Sequence, residues 1–74
     1  MTTPDMTAFR SHLADMFRIK RWNQTRLAKE TGISIVSISR YLSGERNPTL
    51  INAILIADAL EVSLDWLCGR EDSL

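Results

Sequence analysis

Two pairs of helix start and stop signals most constrain what this chain can fold into. Asn23 and Gly32 bracket one segment, and Ser34 and Gly44 bracket the next. Asn and Ser side chains satisfy the free N–H groups at a helix start, whereas glycine adopts the left-handed conformation that ends many helices. The signals therefore predict two short helices joined by a tight turn at Gly32.

The second of these helices contains the stretch SIVSISRY, whose polar and apolar residues alternate as in a β-strand. The same residues also satisfy helical spacing, at about 100° per residue. One side of the helix carries the residues predicted to face the core, which are Ile33, Ile38, Tyr41 and Leu42. Another side carries those predicted to face a partner, which are Ile35, Val36, Ser39 and Arg40.

A further helix is predicted before this pair. Thr3, Pro4 and Asp5 supply a cap, a proline at the first helical position and an acid in the first turn. Apolar residues then recur at helical spacing as far as about Arg21. The stripe predicted to face the core consists of Met6, Phe9, Leu13, Met16 and Phe17.

Two more helices are predicted after the pair. Thr49 opens a fourth helix that ends near Leu60, and Ser63 caps a fifth from Leu64 to Cys68. Nine of the eleven residues 50–60 are apolar, which is too many for one face. The predicted core stripe is Leu50, Ala53, Ile54, Ile56, Ala57 and Leu60. The residues left outside it, with a neighbour on the fifth helix, form a predicted dimer interface of Ile51, Leu55, Ala59 and Leu64.

These signals together predict an all-α, compact five-helix bundle. Seventy-four residues suffice for one domain, although a chain of this size buries only about 60% of its unfolded surface. Residues 1–69 are expected to form the domain, and residues 70–74 a flexible tail or the start of a linker. Trp22 and Trp66 are predicted to be core anchors.

The zero net charge of the chain hides an uneven distribution. Eight Lys and Arg against three Asp and Glu give residues 10–46 a net charge of +5, whereas one Arg against five acids gives residues 47–74 a net charge of −4. This asymmetry favours an oriented anionic partner. Scattered solubilising charge is the alternative explanation.

The sequence offers little for catalysis. His12 is the one histidine and is predicted to be solvated, while the one cysteine, Cys68, has neither a second thiol nor a nearby base in the sequence. There is no glycine-rich phosphate loop and no Glu/His metal spacing. We therefore expect no enzyme activity, no cofactor and no metal.

A cytoplasmic location is expected, in a bacterial or phage-infected cell and associated with its nucleoid. A single cysteine suits a reducing compartment. The stretch MTTPDMTAF has no signal-peptide pattern, and no apolar run approaches the roughly 18 residues of a membrane span.

Two short helices joined by a glycine-containing turn form the arrangement that places one helix in the DNA major groove. The stretch NQTRLAKETGISIVSISRYLSGERNP resembles the helix-turn-helix of the Cro and phage-repressor (XRE-like) family of transcriptional regulators. IADALEVSLDWLCG is similar to the family's fourth and fifth helices. The resemblance covers about residues 6–69 and implies double-stranded operator DNA as the partner.

The resemblance also implies a role for each matching position. The residues implied to face base edges are Ser34, Ile35, Val36, Ser39 and Arg40. Those implied to contact phosphates, or to lie near such contacts, are Asn23, Gln24, Ser43, Arg46, Asn47, Lys20 and Arg21. Two alternatives stay open, since Asn23 and Gln24 can serve merely as caps and Arg40 can hold a phosphate instead of a guanine.

The chain departs from the family pattern at several of these positions. Ile35 and Val36 stand where many relatives carry polar residues, so they can touch a thymine methyl but cannot hydrogen-bond a base edge. Phe17 and Leu42 occupy the positions of an Arg–Glu pair, and we expect an apolar contact there instead. Arg21 occupies the place of a common glycine, so the turn into the second helix can differ.

The expected function is a sequence-specific DNA-binding regulator, a phage or mobile-element repressor that occupies an inverted-repeat operator as a homodimer and excludes polymerase. An antirepressor or the C-terminal domain of a longer chain are further candidate partners. The alternative is a protein-interaction module, antirepressor-like or antitoxin-like, because exposed Ile35 and Val36 also suit a protein partner. Binding to random duplex DNA at low salt distinguishes the two.

Overall fold

Five α-helices occur in residues 7–70, the part of the chain that the computed structural model describes. They are α1 (Thr7–Lys20), α2 (Gln24–Thr31), α3 (Ile35–Ser43), α4 (Leu50–Leu60) and α5 (Leu64–Leu67). The predicted all-α, five-helix fold is therefore confirmed over this range. The predicted helix start at Thr3, Pro4 and Asp5, Met6 of the first stripe, and residues 71–74 of the predicted tail lie outside the described residues.

Short polar side chains start four of these helices, as predicted. Each accepts a hydrogen bond from a backbone N–H in the first turn: Asn23 from Arg26, Ser34 from Ser37, Thr49 from Asn52 and Ser63 from Trp66. Such a cap satisfies a donor that has no partner inside the helix, and is typically worth about 1 kcal/mol. The caps therefore determine where α2, α3, α4 and α5 begin.

Left-handed residues end α1, α2 and α3. Gly32 and Gly44, with φ of 77° and 84°, follow α2 and α3 at the predicted positions. Arg21 follows α1 with a φ of 58°, and the Trp22 N–H closes the turn onto the Phe17 carbonyl at 3.0 Å. Arg21 thus takes the backbone conformation that glycine would favour, at a cost of about 1–2 kcal/mol for a residue with a Cβ.

The core contains residues from all five helices and from the turn before α3. Its buried members are Phe9, Leu13, Met16, Leu27, Ile33, Ile38, Tyr41, Ile56, Ala57, Leu60, Trp66 and Leu67. The set confirms the predicted inner positions Phe9, Leu13 and Met16 of α1, and Ile33, Ile38 and Tyr41 in and before α3. Phe17 and Leu42 pack against it while partly buried, so both positions of the family's ion pair carry apolar packing here.

The face that α4 turns to the core differs from the prediction. Ala53, Ile56, Ala57 and Leu60 are buried as predicted, but two predicted core members, Leu50 (69% exposed) and Ile54, are exposed. Nearly every residue of this helix is apolar, so apolar spacing alone does not identify the buried side.

The residues of the predicted dimer interface divide into two groups. Ile51 is 70% exposed and Leu55 is exposed as well. Ala59 and Leu64 are partly buried and pack against the core.

No helix of residues 7–70 is long and apolar enough to cross a membrane.

His12 connects α1 to α5, which corrects the prediction of a solvated side chain. Its Nδ1 lies 2.7 Å from the Trp66 carbonyl oxygen. The two rings are stacked with centroids 4.2 Å apart and planes 7° from parallel. Trp66 is buried as predicted, whereas Trp22 is only partly buried against the core. The cations of Lys20 and Arg26 lie over the Trp22 ring.

Candidate nucleic-acid interface

The turn between α2 and α3 determines the direction of α3. The Thr31 hydroxyl donates to the Leu27 carbonyl at 2.7 Å and accepts from the Ile33 N–H at 3.2 Å. Ile33 is buried and anchors the turn to the core. On α3 itself, the Tyr41 hydroxyl accepts a hydrogen bond from Asn52 Nδ2 of α4 at 2.8 Å. These contacts hold the inner side of α3 in place and leave its outer side exposed.

An open groove of about 380 Å³ lies on that outer side. Its lining residues are Gln24, Ile35, Val36, Ser39, Arg40 and Glu45. The structure therefore brings together four of the five predicted base-reading residues and one predicted phosphate contact. We call Ile35, Val36, Ser39 and Arg40 the reading face.

Ser34, the fifth predicted base-reading residue, is engaged at the start of α3. Its Oγ accepts from the Ser37 N–H at 3.1 Å and donates to the Ser37 hydroxyl at 2.9 Å. Its side chain is exposed, so a contact with DNA would have to compete with these bonds. The structure supports the capping role directly.

The predicted phosphate contacts lie on two segments next to the groove. Lys20, Arg21, Asn23 and Gln24 belong to the turn into α2 and to its start, and the Asn23 side-chain oxygen is occupied by the cap. Ser43, Arg46 and Asn47 belong to the end of α3 and the loop after it. Gln24 and Glu45, one from each segment, line the groove. The Arg46 and Asn47 side chains are exposed.

Two charged residues beside this surface, Glu45 and Arg10, were not predicted from the sequence as site residues. The Glu45 carboxylate lies 3.8 Å from Arg40 Nε. On α1, Arg10 lies so close to Gly44 that a Cβ there would meet its Nη1 at 2.7 Å. A cation near the carboxyl end of α3 is favoured by the helix dipole. The one sequence signal for Glu45 was an acid inside the loop SGERNP, five residues after Arg40.

The surroundings of the Cys68 side chain disfavour its reactive form. Burial raises the pKa of the Cys68 thiol, and the Asp65 carboxylate raises it further while Arg70 opposes the change. A thiol with a raised pKa carries little of the reactive thiolate. Among residues 7–70, no three His, Cys, Asp or Glu side chains are grouped so that they could hold a metal ion.

The family model described as helix-turn-helix matches residues 16–67, most of α1 together with α2 to α5. The chain therefore belongs to the helix-turn-helix family, and within it to the Cro and phage-repressor type. Its fold is similar to that of the P22 c2 repressor protein, whose crystal structure was determined in complex with synthetic operator 9T. That likeness has a TM-score of 0.77 at 25% identity, and covers 85% of this chain and 96% of the other.

Two sequence relatives extend this assignment. The transcriptional repressor RstR of the cryptic phage CTXphi in Vibrio cholerae is 46% identical over 61 residues, which cover 82% of this chain and 54% of RstR. An HTH-type transcriptional regulator of Haemophilus influenzae is 38% identical over 40 residues, which cover 54% of this chain and 17% of that protein. This chain thus spans about half the length of RstR.

Proposed function

We propose that this chain is a sequence-specific DNA-binding transcriptional repressor of phage or mobile-element type. The observation that carries the proposal is the groove, where a helix-turn-helix exposes Ile35, Val36, Ser39 and Arg40 beside Gln24. RstR is by name a phage transcriptional repressor, and the P22 c2 repressor was crystallised on operator DNA. By occupying an operator, this chain would exclude polymerase.

The reading face would combine two kinds of base recognition. The planar fork of Arg40 suits the O6 and N7 acceptors of guanine, a pairing worth about 1–3 kcal/mol of discrimination. Ile35 and Val36 offer apolar surface to thymine methyl groups. Ser34 and Ser39 can contact either a base or a phosphate. The half-site would therefore contain a guanine under Arg40 and at least one thymine under Ile35 or Val36.

Phosphate contacts would supply most of the affinity. The start of α2 presents backbone N–H groups next to Gln24, with Lys20 and Arg21 just before it, and Arg46 and Asn47 follow α3. All of these residues except Asn47 lie in residues 10–46, the segment that carries the net charge of +5. Because bound cations release counterions from DNA, affinity should fall steeply with salt.

A homodimer would form through an exposed apolar surface of α4. Leu50, Ile51, Ile54 and Leu55 are its exposed large residues, and we call them the α4 face. Ala59 and Leu64, which are partly buried against the core, would lie at the border of this face. A two-fold pairing would place two copies of α3 about 34 Å apart along one side of the DNA, so the operator would be an inverted repeat.

We also propose the domain boundaries, the cellular location and the further partners of the protein. Residues 1–69 would form the DNA-binding domain and residues 70–74 a tail or linker. The protein would act on the nucleoid in the cytoplasm of a bacterial or phage-infected cell, with an antirepressor or the C-terminal domain of a longer chain as further partners.

Selection of bound duplexes from a random pool tests the function. We expect enrichment of an inverted repeat with the half-site described above. Val36→Asp should abolish enrichment, because it adds a negative charge to the reading face. Ala14→Asp adds the same charge at an exposed position of α1 outside the groove and should leave enrichment intact. If the parent ignores random duplex DNA even at low salt, the protein-interaction module is the better explanation.

A further inference from the structure

Glu45 is the one acidic side chain among the described residues that line the groove. A carboxylate that faces DNA repels its phosphates. Glu45 would therefore weaken DNA binding unless it also contributed to recognition. Glu45 pairs with Arg40, but its side chain is 70% exposed, and such surface pairs add little to folding stability. Its contribution is therefore expected from its effect on the Arg40 side chain.

The loop after α3 holds Glu45 close to Arg40. The Ser43 hydroxyl donates to the Arg40 carbonyl at 3.1 Å and accepts from the Glu45 N–H at 3.3 Å. The Arg46 N–H donates to the same Arg40 carbonyl at 3.3 Å. Gly44, in the left-handed conformation, allows the chain to fold back in this way. The loop is thus bonded to the backbone of Arg40, and its Glu45 side chain lies beside the Arg40 side chain.

The position of the contact on the guanidinium determines its consequence. Glu45 Oε2 lies 3.8 Å from Nε of Arg40, the nitrogen nearest the chain. The terminal nitrogens are left for another acceptor, and two parallel N–H groups there match the O6 and N7 atoms of guanine. A side chain restrained before binding loses less entropy when it binds.

We propose that Glu45 determines the specificity of Arg40, by directing its guanidinium to a base edge and away from the phosphate backbone; this inference rests on the proposed function. The carboxylate restrains the arginine in the groove. It also repels phosphates that Arg40 would otherwise reach, which weakens binding to unrelated sequences. Specificity is a difference of two affinities, and Glu45 acts on both.

Glu45→Gln tests this, because it removes the charge and keeps the shape. The parent, Glu45→Gln, Arg40→Ala and the double variant would each be taken through the selection from the random pool. The affinity of each variant would then be measured for three DNA samples: the enriched duplex, the same duplex with the Arg40-dependent guanine replaced, and the unselected pool. Each measurement would be made at roughly 50 and 200 mM salt. Circular dichroism would verify that each variant is folded.

We expect Glu45→Gln to bind the unselected pool several-fold more tightly and to lose about tenfold of its preference for that guanine. The slope of log K against log salt should steepen by about 0.9, because the released Arg40 gains a phosphate. In the Arg40→Ala background the same change should alter neither base preference nor slope. Asp15→Asn, which removes the carboxylate of another exposed ion pair, with Arg18 on α1, should leave the guanine preference unchanged.

Two results would overturn the proposal. Equal tightening on the enriched duplex and on the pool would show that Glu45 merely repels DNA. Loss of preference at a different base pair would show that Glu45 reads a base itself. A parent that enriches no sequence would refute the proposed function before any variant is compared, so the two failures are distinguishable.

Discussion

The reading face and the α4 face both expose apolar side chains, and they differ in what surrounds those side chains. On the reading face, Ile35 and Val36 lie among hydrogen-bonding and charged side chains that line the same groove. On the α4 face, four large apolar side chains are exposed along six residues whose one polar member, Asn52, is bonded to Tyr41. Exposed apolar residues mixed with donors suit base pairs, whereas a continuous apolar patch suits another protein.

The charge of the chain follows the same division. The reading face lies in residues 10–46, with a net charge of +5, and the α4 face in residues 47–74, with a net charge of −4. A polyanion is attracted by the net charge of the first segment and repelled by that of the second. We therefore propose DNA as the partner of the first surface and a second copy of the chain as the partner of the second, and each proposal can be tested separately.

The largest effect is expected from Ile51→Glu on the α4 face. A buried carboxylate would prevent pairing of two copies, and loss of the second half-site should weaken operator binding on the order of 100-fold or more. Sedimentation would show a monomer that retains its circular dichroism spectrum. Ile19→Glu, at a similarly exposed position on α1, should leave the dimer intact. A variant that sediments and binds like the parent would rule out this interface.

Arg40→Ala on the reading face should affect base preference and leave the dimer unchanged. Loss of a bidentate contact should remove roughly 5-fold to 150-fold of preference at the guanine, the equivalent of about 1–3 kcal/mol, and at no other base pair. Binding to duplexes that vary one position at a time measures this. Arg18→Ala, outside the groove, is the matched control. An equal loss on every sequence would reassign Arg40 to the phosphate backbone.

Arg46→Ala should weaken binding to all sequences alike, by about tenfold, since it removes a charge-assisted contact to phosphate. The slope of log K against log salt should become shallower by about 0.9. Titrations of operator and random duplexes between roughly 50 and 200 mM salt measure both quantities. Affinity that does not respond to salt would contradict the phosphate assignment as a whole.

The smallest expected effect comes from the DNA side. Replacement of thymine by uracil removes one methyl group, and its lost burial corresponds to about 0.8 kcal/mol, or roughly fourfold in affinity. Only the thymines under Ile35 or Val36 should respond. If no uracil substitution in the half-site weakened binding, these two residues would have no reading role.

Local signals made most of this fold predictable. Asn23, Ser34, Thr49 and Ser63 cap the helices that their positions predicted, because a cap depends on atoms only two or three residues away. The inner and outer sides of α3 were also predictable, since its polar and apolar residues separate at helical spacing.

What the sequence did not predict depends on contacts between elements. Apolar spacing predicts Leu50 and Ile54 in the core, but both are exposed, because the composition of α4 leaves its faces indistinguishable and only packing against the other helices decides between them. His12 meets Trp66 across 54 residues, a distance at which no sequence pattern operates. Glu45 reaches Arg40 because the chain reverses at Gly44, so the pair does not follow helical spacing.

The left-handed backbone of Arg21 has a consequence for how this domain can evolve. A chain of this size has a total stability of only about 4–11 kcal/mol, so 1–2 kcal/mol at one residue is a large share. Glycine would relieve that cost, but it would remove a cation next to the proposed phosphate contacts at the start of α2. Lineages adapted to heat and lineages adapted to tight operator binding are therefore expected to diverge at this position, glycine accumulating in the former and arginine persisting in the latter.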